Sequence, residues 1–515
     1  MPRAERPSPK RLTRRGLLGG SAAAAAALCA APFVQTVRAA ADDRLGGLPV
    51  RPPSDLPART HEMTLVAAER EGAVLGPGRP QSRLWSFGRP GQPVIPVIRT
   101  RVGDRIRARL ENRLPVHTSI HWHGIRVPNG MDGVPYLTQP PVQPGESFAY
   151  DVPLEDTGTF FLHPHCDESG QSGRGLMAVL IVEGDAPDGY ADSDLVLAVK
   201  DWRLDDGGTF LPFDTKEGAG RAGTFGTVRG TNGQAGPMRA SVPTGGLVRL
   251  RVLNVDPTRI LQLGVEGGEA ALIATDGHAL QPVSLNDLQD GVWRLGPAMR
   301  ADLLIQAPAR AGQTLRVMDY GSAEPWLAAE LTASGPRLGR PAFDPRPLYA
   351  SVVPRPADPG AAERLSFTFG ASSGQDAAAE IAAGLPPGDP LAKVLLDNLC
   401  VKDTSLWAIN KVPWPSGPNA ALPPPLGGLV AGQPYLAEWI NTTPHPHPIH
   451  FHGHTFEVLS YSRQKAMPRH LADTVLINPR ERVEVAFTAA PGDWMLHCHI
   501  LEHLEYGMMG YLRVA

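Results

Sequence analysis

Glycine and proline divide this chain into short alternating segments, and that punctuation constrains its fold more than any other feature. The 515 residues include 55 glycines and 53 prolines. Between them lie runs such as PVIPVIRTRVGDRIRARL, SFAYDVPLE and GLVRLRVLNV, in which apolar and polar residues alternate. Successive side chains on a strand point to opposite faces, so these runs predict half-buried strands. Short strands bounded by turn residues predict an all-β sandwich architecture. Helical spacing is confined to short stretches, of which EIAAGL and DPLAKVLLDNL are the clearest.

Residues 1–41 read as a removable segment. A basic run ending TRRGLLGG precedes an alanine-rich stretch too short to span a bilayer, and then a small-residue cleavage zone. The paired Arg14 and Arg15 point to the twin-arginine route, which exports folded proteins, and so to a periplasmic or secreted product. Cys29 follows Leu28 directly and sits in no convincing lipobox, which favours a soluble protein over a lipoprotein. Without this segment 42 basic residues face 51 acidic ones. That balance argues against nucleic acid or an anionic membrane as partner. No later stretch is long and apolar enough to be a transmembrane helix, and no membrane insertion is expected.

Three blocks follow, at residues 42–185, 186–340 and 361–515. The first ends in GLMAVLIVEG, and a proline-rich linker at 341–360 separates the last two. The middle block has a single histidine, His278 in TDGHAL, and reads as a spacer. Cys166 and Cys400 could form one disulfide in an oxidising compartment or stay as two buried thiols.

Four histidine clusters occupy the outer blocks: HWHG at 121–124, HPH at 163–165, HPIHFHGH at 447–454 and HCHILEHLEYGM at 497–508. One His-x-His is weak evidence for a metal, but four on strand-like segments are not easily incidental. On a strand, His497 and His499 would face one way and Cys498 the other, so one tripeptide would touch two sites. A thiolate, two imidazoles and a weak thioether make a blue-copper electron-transfer site. Cys498, His503 and Met508 have suitable types and spacing, and His447 is the natural second imidazole. Structural zinc and iron–sulfur clusters would want more cysteines. A zinc hydrolase would leave the cysteine–methionine set unexplained.

In order and spacing these motifs resemble the copper signatures of three-domain, laccase-like multicopper oxidases of bacteria. The likeness extends through TNGQAGP, LRVLNVDP, TDGHAL, LGPAMRADLLI and LWAIN. The resemblance implies three consecutive cupredoxin-type Greek-key β-sandwich domains and four copper ions. It places a type 1 copper on His447, Cys498 and His503, with Met508 axial. It gives a type 2 copper to His121 and His450. One type 3 copper falls to His123, His163 and His499, the other to His165, His452 and His497. A donor would give single electrons near His503 at the protein surface, and dioxygen would be reduced to water between the first and third domains. Asp132, in HGIRVPNGMDG, matches a family carboxylate that relays protons; as a residue before Gly133 it also reads as a turn aspartate. Many bacterial members carry glutamate directly after the second type 1 histidine, where this chain has Leu504 and then Glu505.

The implied partners are dioxygen and small phenolic or aromatic donors, and a monomer is expected. The alternative donor is Cu(I), in a periplasmic cuprous oxidase. Eleven methionines with no cluster beyond Met508–Met509 favour organic donors. A copper-free envelope or division scaffold of the same fold would have lost its ligands, and every one is present here.

Overall fold

A computed structural model describes residues 46–53, 56–88, 91–356, 358–372, 405–415, 422–464 and 467–515, with the backbone of 37–38. The helical candidates EIAAGL and DPLAKVLLDNL lie outside the described residues, as do Cys400 and nearly all of 1–41. Cys166 is a free, buried thiol. Among the described residues strand accounts for 45% and helix for 6%, so the fold is all-β as the punctuation predicts.

Six sheets form three sandwiches, and each sandwich repeats one topology. In the first sheet of each, an early strand pairs parallel with a later one: Thr60–Gly72 with Arg105–Asn112, Ser193–Val199 with Leu247–Asn254, and Glu363–Ala371 with Pro434–Asn441. A tight hairpin cannot join parallel strands, so the chain crosses to the opposite sheet in between. Strand Val97–Arg101 makes that crossing in the first sandwich, pairing with Ala178–Glu183. These crossovers give the Greek-key character that the family resemblance implies. Each sandwich has its own apolar core.

Strand Arg105–Asn112 shows why the alternating runs fold this way. Ile106, Ala108 and Leu110 are buried, whereas Arg107 and Arg109 face solvent. Strand Leu247–Asn254 departs from that pattern, because Arg249 and Arg251 are buried along with its apolar residues. Their charges are matched. Arg249 donates to Asp185 and to Asp302, and Arg251 makes a two-pronged contact with Asp194 at 2.7 and 2.8 Å. Buried charges persist only when paired and hydrogen-bonded in this way. The linker is likewise held against the sandwiches: Tyr349 N donates to Asp185 O, and Arg126 Nη2 reaches Val352 O. Among the described residues no helix is long and apolar enough to cross a membrane.

Candidate metal centres

Strand parity sorts the metal candidates into two groups. Strands His447–Phe451 and Gly492–Cys498 pair antiparallel, with His450 opposite His497 and Ile449 opposite Cys498. Residues directly opposite share a face. Cys498 and Ile449 therefore point into the core of the third sandwich, together with Met508. His447 is two residues from Ile449 and shares that face. His450 and His497 point outward, toward the first sandwich. There, strand His121–His123 pairs with Gly158–His163 and sets His121 opposite His163. Trp122 takes the other face and packs in the first core against Tyr150.

In the inner group, Cys498 Sγ lies 3.5 Å from His447 Nδ1 and 3.6 Å from His503 Nδ1, and the two nitrogens are 3.0 Å apart. The backbone brings Met508 alongside, since Cys498 N donates to Met508 O and Met508 N to His503 O. Met508 is wholly buried and Met509 only partly, which favours Met508 as the thioether. In the outer group, three mutually close sets meet between the first and third sandwiches: His121, His123 and His450; His123, His163 and His499; and His165, His452 and His497. His123 belongs to two of them.

The hydrogen bonds reveal which ring nitrogens are free. His121 Nδ1 donates to Asp132 O, His163 Nδ1 to Pro164 O, His450 Nδ1 to Asp473 O and His497 Nδ1 to Cys498 O, all within 2.8–2.9 Å. His452 Nδ1 donates to Asp132 Oδ2 at 2.9 Å, and His123 Nε2 to Asp473 Oδ1 at 3.1 Å. His165 Nδ1 lies 2.9 Å from Glu168 Oε1. These oxygens can only accept, so the bonded nitrogen carries the hydrogen and its partner presents a lone pair. Those lone pairs converge: His121 Nε2 and His450 Nε2 are 3.4 Å apart, and His452 Nε2 and His497 Nε2 are 3.0 Å apart. His499 leaves both ring nitrogens without a hydrogen bond. Converging, desolvated lone pairs repel one another unless a cation lies between them, so these residues fit bound metal. Imidazoles and one thiolate, without further cysteines, fit copper rather than structural zinc.

Burial shapes the proton chemistry. It holds His123, His163, His447, His452, His497 and His499 well below the usual imidazole range and His503 at about 3. Burial also pushes the Cys498 thiol up, so metal must displace its proton. A group neutral when folded but titrating near ~6.5 when unfolded makes stability full above about 6.5 and reduced below it. Thermal melts of the apoprotein should therefore show Tm falling as pH drops from about 7.5 to about 5. A flat profile would contradict neutral folded-state imidazoles.

Asp132 is buried, with Oδ2 on His452 Nδ1 and Oδ1 3.3 Å from His121 Nδ1. It is also the turn residue its sequence suggests, because Gly133 follows with φ +87° and a Cβ there would strike the Ile120 carbonyl. Glu168, which the sequence did not single out, sets a second carboxylate against His165. Glu505 accepts from Ser169 N at 2.9 Å and from Ser169 Oγ at 2.5 Å.

The spacer reading of the middle block is overturned. Its Arg300 donates to both oxygens of Asp473 at 2.6 and 2.8 Å, and also to Thr159 O and Asp276 O. All three sandwiches thus meet at one guanidinium. Burial alone would raise the Asp473 carboxyl, but Arg300 overrides this and holds it well below the carboxylate range. Asp473 then orients His123 through its carboxylate and His450 through its carbonyl. Gly124 completes the arrangement: its φ is +85°, and a Cβ would sit 2.6 Å from Asp473 Oδ2. The glycine of HWHG is therefore set by the approach of this ion pair.

The surface position expected for His503 is also corrected. The imidazole is fully buried, and its Nε2 donates to the Arg221 carbonyl at 2.5 Å. The segment carrying Arg221 comes from the middle block, so sequence proximity to the motifs gave no sign of it.

Two copper-fitting centres bridged by one tripeptide, on cupredoxin-like sandwiches, define a copper-dependent oxidoreductase. Comparison with known proteins agrees. Multicopper oxidase family models match residues 77–187 and 401–515. The crystal structure of a multi-copper oxidase from Pseudomonas Thermotolerans is 35% identical, with a TM-score of 0.76, and the match covers 89% of this chain and all of that one. Multicopper oxidase MmcO of Mycobacterium tuberculosis is 27% identical, over 97% of this chain and 96% of that protein. Laccase-1 of Botryotinia fuckeliana is 28% identical, over 79% of this chain and 74% of that protein. The chain belongs to the multicopper oxidase family.

Proposed function

We propose that this oxidase couples one-electron oxidation of small phenolic or aromatic donors to four-electron reduction of dioxygen to water. His447, Cys498 and His503, with the Met508 thioether beside them, would hold the type 1 copper. His121 and His450 would hold the type 2 copper. His123, His163 and His499 would hold one type 3 copper, and His165, His452 and His497 the other. Bound copper supplies the one-electron redox chemistry and the four-electron reduction of dioxygen. The chain's residues hold the two centres apart yet covalently joined: Cys498 faces the inner group while His497 and His499 face the outer one. That junction is the observation that carries the reading.

Asp132 is proposed to hand protons toward the outer group from its place between His121 and His452. Asp132→Asn should lower turnover by roughly 10²–10⁴-fold, the usual span for a positioned acid or base. The blue absorption should persist, because Asp132 touches neither Cys498 nor its partners. Wild-type turnover across the pH range would remove Asp132 from the mechanism.

The few, scattered methionines support organic donors. A second reading, Cu(I) as donor, gains support from the covering of His503. Oxygen uptake by copper-loaded protein, with a methoxyphenol or with Cu(I), decides between them. Fast uptake with the phenol alone supports the laccase-type reading, and the reverse replaces it. Export through the twin-arginine route is proposed from Arg14 and Arg15. Changing both to lysine should retain the precursor inside the cell, and undiminished export would contradict that route.

A further inference from the structure

In the proposed reading His503 is the donor-side ligand of the inner group, and its outer edge is closed. The cover is the glycine-rich segment 214–224 of the middle sandwich, which includes the short helix Lys216–Ala219. Besides the Arg221 carbonyl on His503 Nε2, Ala219 O accepts from Trp407 Nε1 at 2.7 Å. The Trp407 ring lies 4.6 Å from the His503 ring and 5.4 Å from that of His447, closing a second side. At the far end, Tyr506 Oη donates to Asp214 Oδ2 at 2.8 Å.

One side chain clamps both ends of the segment. Glu502, next to His503, accepts from Thr215 N at 3.2 Å, from Thr224 Oγ1 at 2.6 Å and from Thr224 N. The glycines allow this close seating, because a Cβ at Gly218 or Gly223 would fall 2.9–3.0 Å from a Glu502 oxygen. The cavity beside Glu502, lined by Thr224, Thr258 and Leu501, has room for about 20 Å³. That is enough for about one water and far too little for an aromatic ring.

We infer that segment 214–224, clamped by Glu502, is the specificity-determining element of the electron-entry site: it denies aromatic rings contact with His503 and leaves the Arg221 carbonyl as the contact to that ligand. The inference rests on the proposed entry of electrons at His447, Cys498 and His503. A phenol that loses one electron and one proton to become a phenoxyl radical must deliver its electron across the cover. Four such electrons and four protons reduce one dioxygen to two waters, and no other reactant is needed. A donor that needs no ring contact, such as hexacyanoferrate(II), meets the cover with a smaller penalty.

The test compares copper-loaded wild type with Glu502→Gln and with a variant in which two glycines replace residues 216–222. For each, kcat/KM is measured with 2,6-dimethoxyphenol and with hexacyanoferrate(II). Loosening or removing the cover should raise the phenol-to-hexacyanoferrate ratio by at least about tenfold, the low end of what one pocket contact discriminates. An unchanged ratio in a variant that keeps its blue absorption overturns the inference. If the shortened variant does not fold, the ratio in Glu502→Gln decides alone. Blue wild-type protein that takes up no oxygen with either donor would instead refute the electron-entry reading itself.

Discussion

Cys498→Ser should abolish both the blue absorption and turnover while leaving the outer histidines competent to bind metal. Among the described residues Cys498 is the only thiol in the inner group, and its sulfur sits within 3.6 Å of both imidazoles. A hydroxyl is a hard, weakly donating replacement for a soft thiolate, so the centre loses its affinity and its colour. Serine is smaller and fits the same space, and its cost to the apoprotein is about 1–3 kcal/mol if the buried hydroxyl finds no partner. His497 and His499 keep their backbone positions because the strand pairing through His450 does not involve the sulfur. The outer group should therefore retain its copper, read by metal analysis. Persistent turnover would mean that electrons enter the outer group by another route.

Arg300→Met should be the most damaging change outside the ligands themselves. It removes the partner of a buried carboxylate, and breaking such a pair costs roughly 3–5 kcal/mol. The loss also reaches the metal ligands, because Asp473 orients His123 and His450. Chemical denaturation of the apoprotein should show that loss, and the loaded protein should hold less copper in the outer group. The blue absorption should remain, since Arg300 touches nothing in the inner group. Arg300→Lys, which restores the charge but not the two-pronged geometry, should recover stability more than copper content. An apoprotein as stable as wild type, with full copper, would show that Asp473 needs no counterion.

The legible parts of this site were those written in strand parity. His121 and His123 share a face because they are two residues apart, and Cys498 opposes its neighbours for the same reason; both follow from the sequence once a strand is assumed. Arg300, Asp276 and Asp473 were not legible, because they lie far apart in the sequence and their meaning arises only when three sandwiches pack together. Arg300 does stand in the GPAMRADLLI stretch that resembles the family, but nothing in that stretch says what it contacts. The spacer reading of the middle block failed because it scored histidines alone. Arg221 was invisible for a different reason: its contact with His503 is made by a backbone carbonyl, which every residue has. Arg249 and Arg251 read as outward-facing residues until Asp185, Asp194 and Asp302 converged on them. Asp132 is the turn residue its sequence suggested, and it also lies against His452 and His121, a contact the sequence did not reveal; its proton role stays a proposal.

The central claim is that two centres, joined through His497–Cys498–His499, together hold four copper ions. Native mass spectrometry of the copper-reconstituted chain tests it most directly. The account predicts four coppers per chain. A saturated count below four, or occupation by zinc in place of copper, would contradict it.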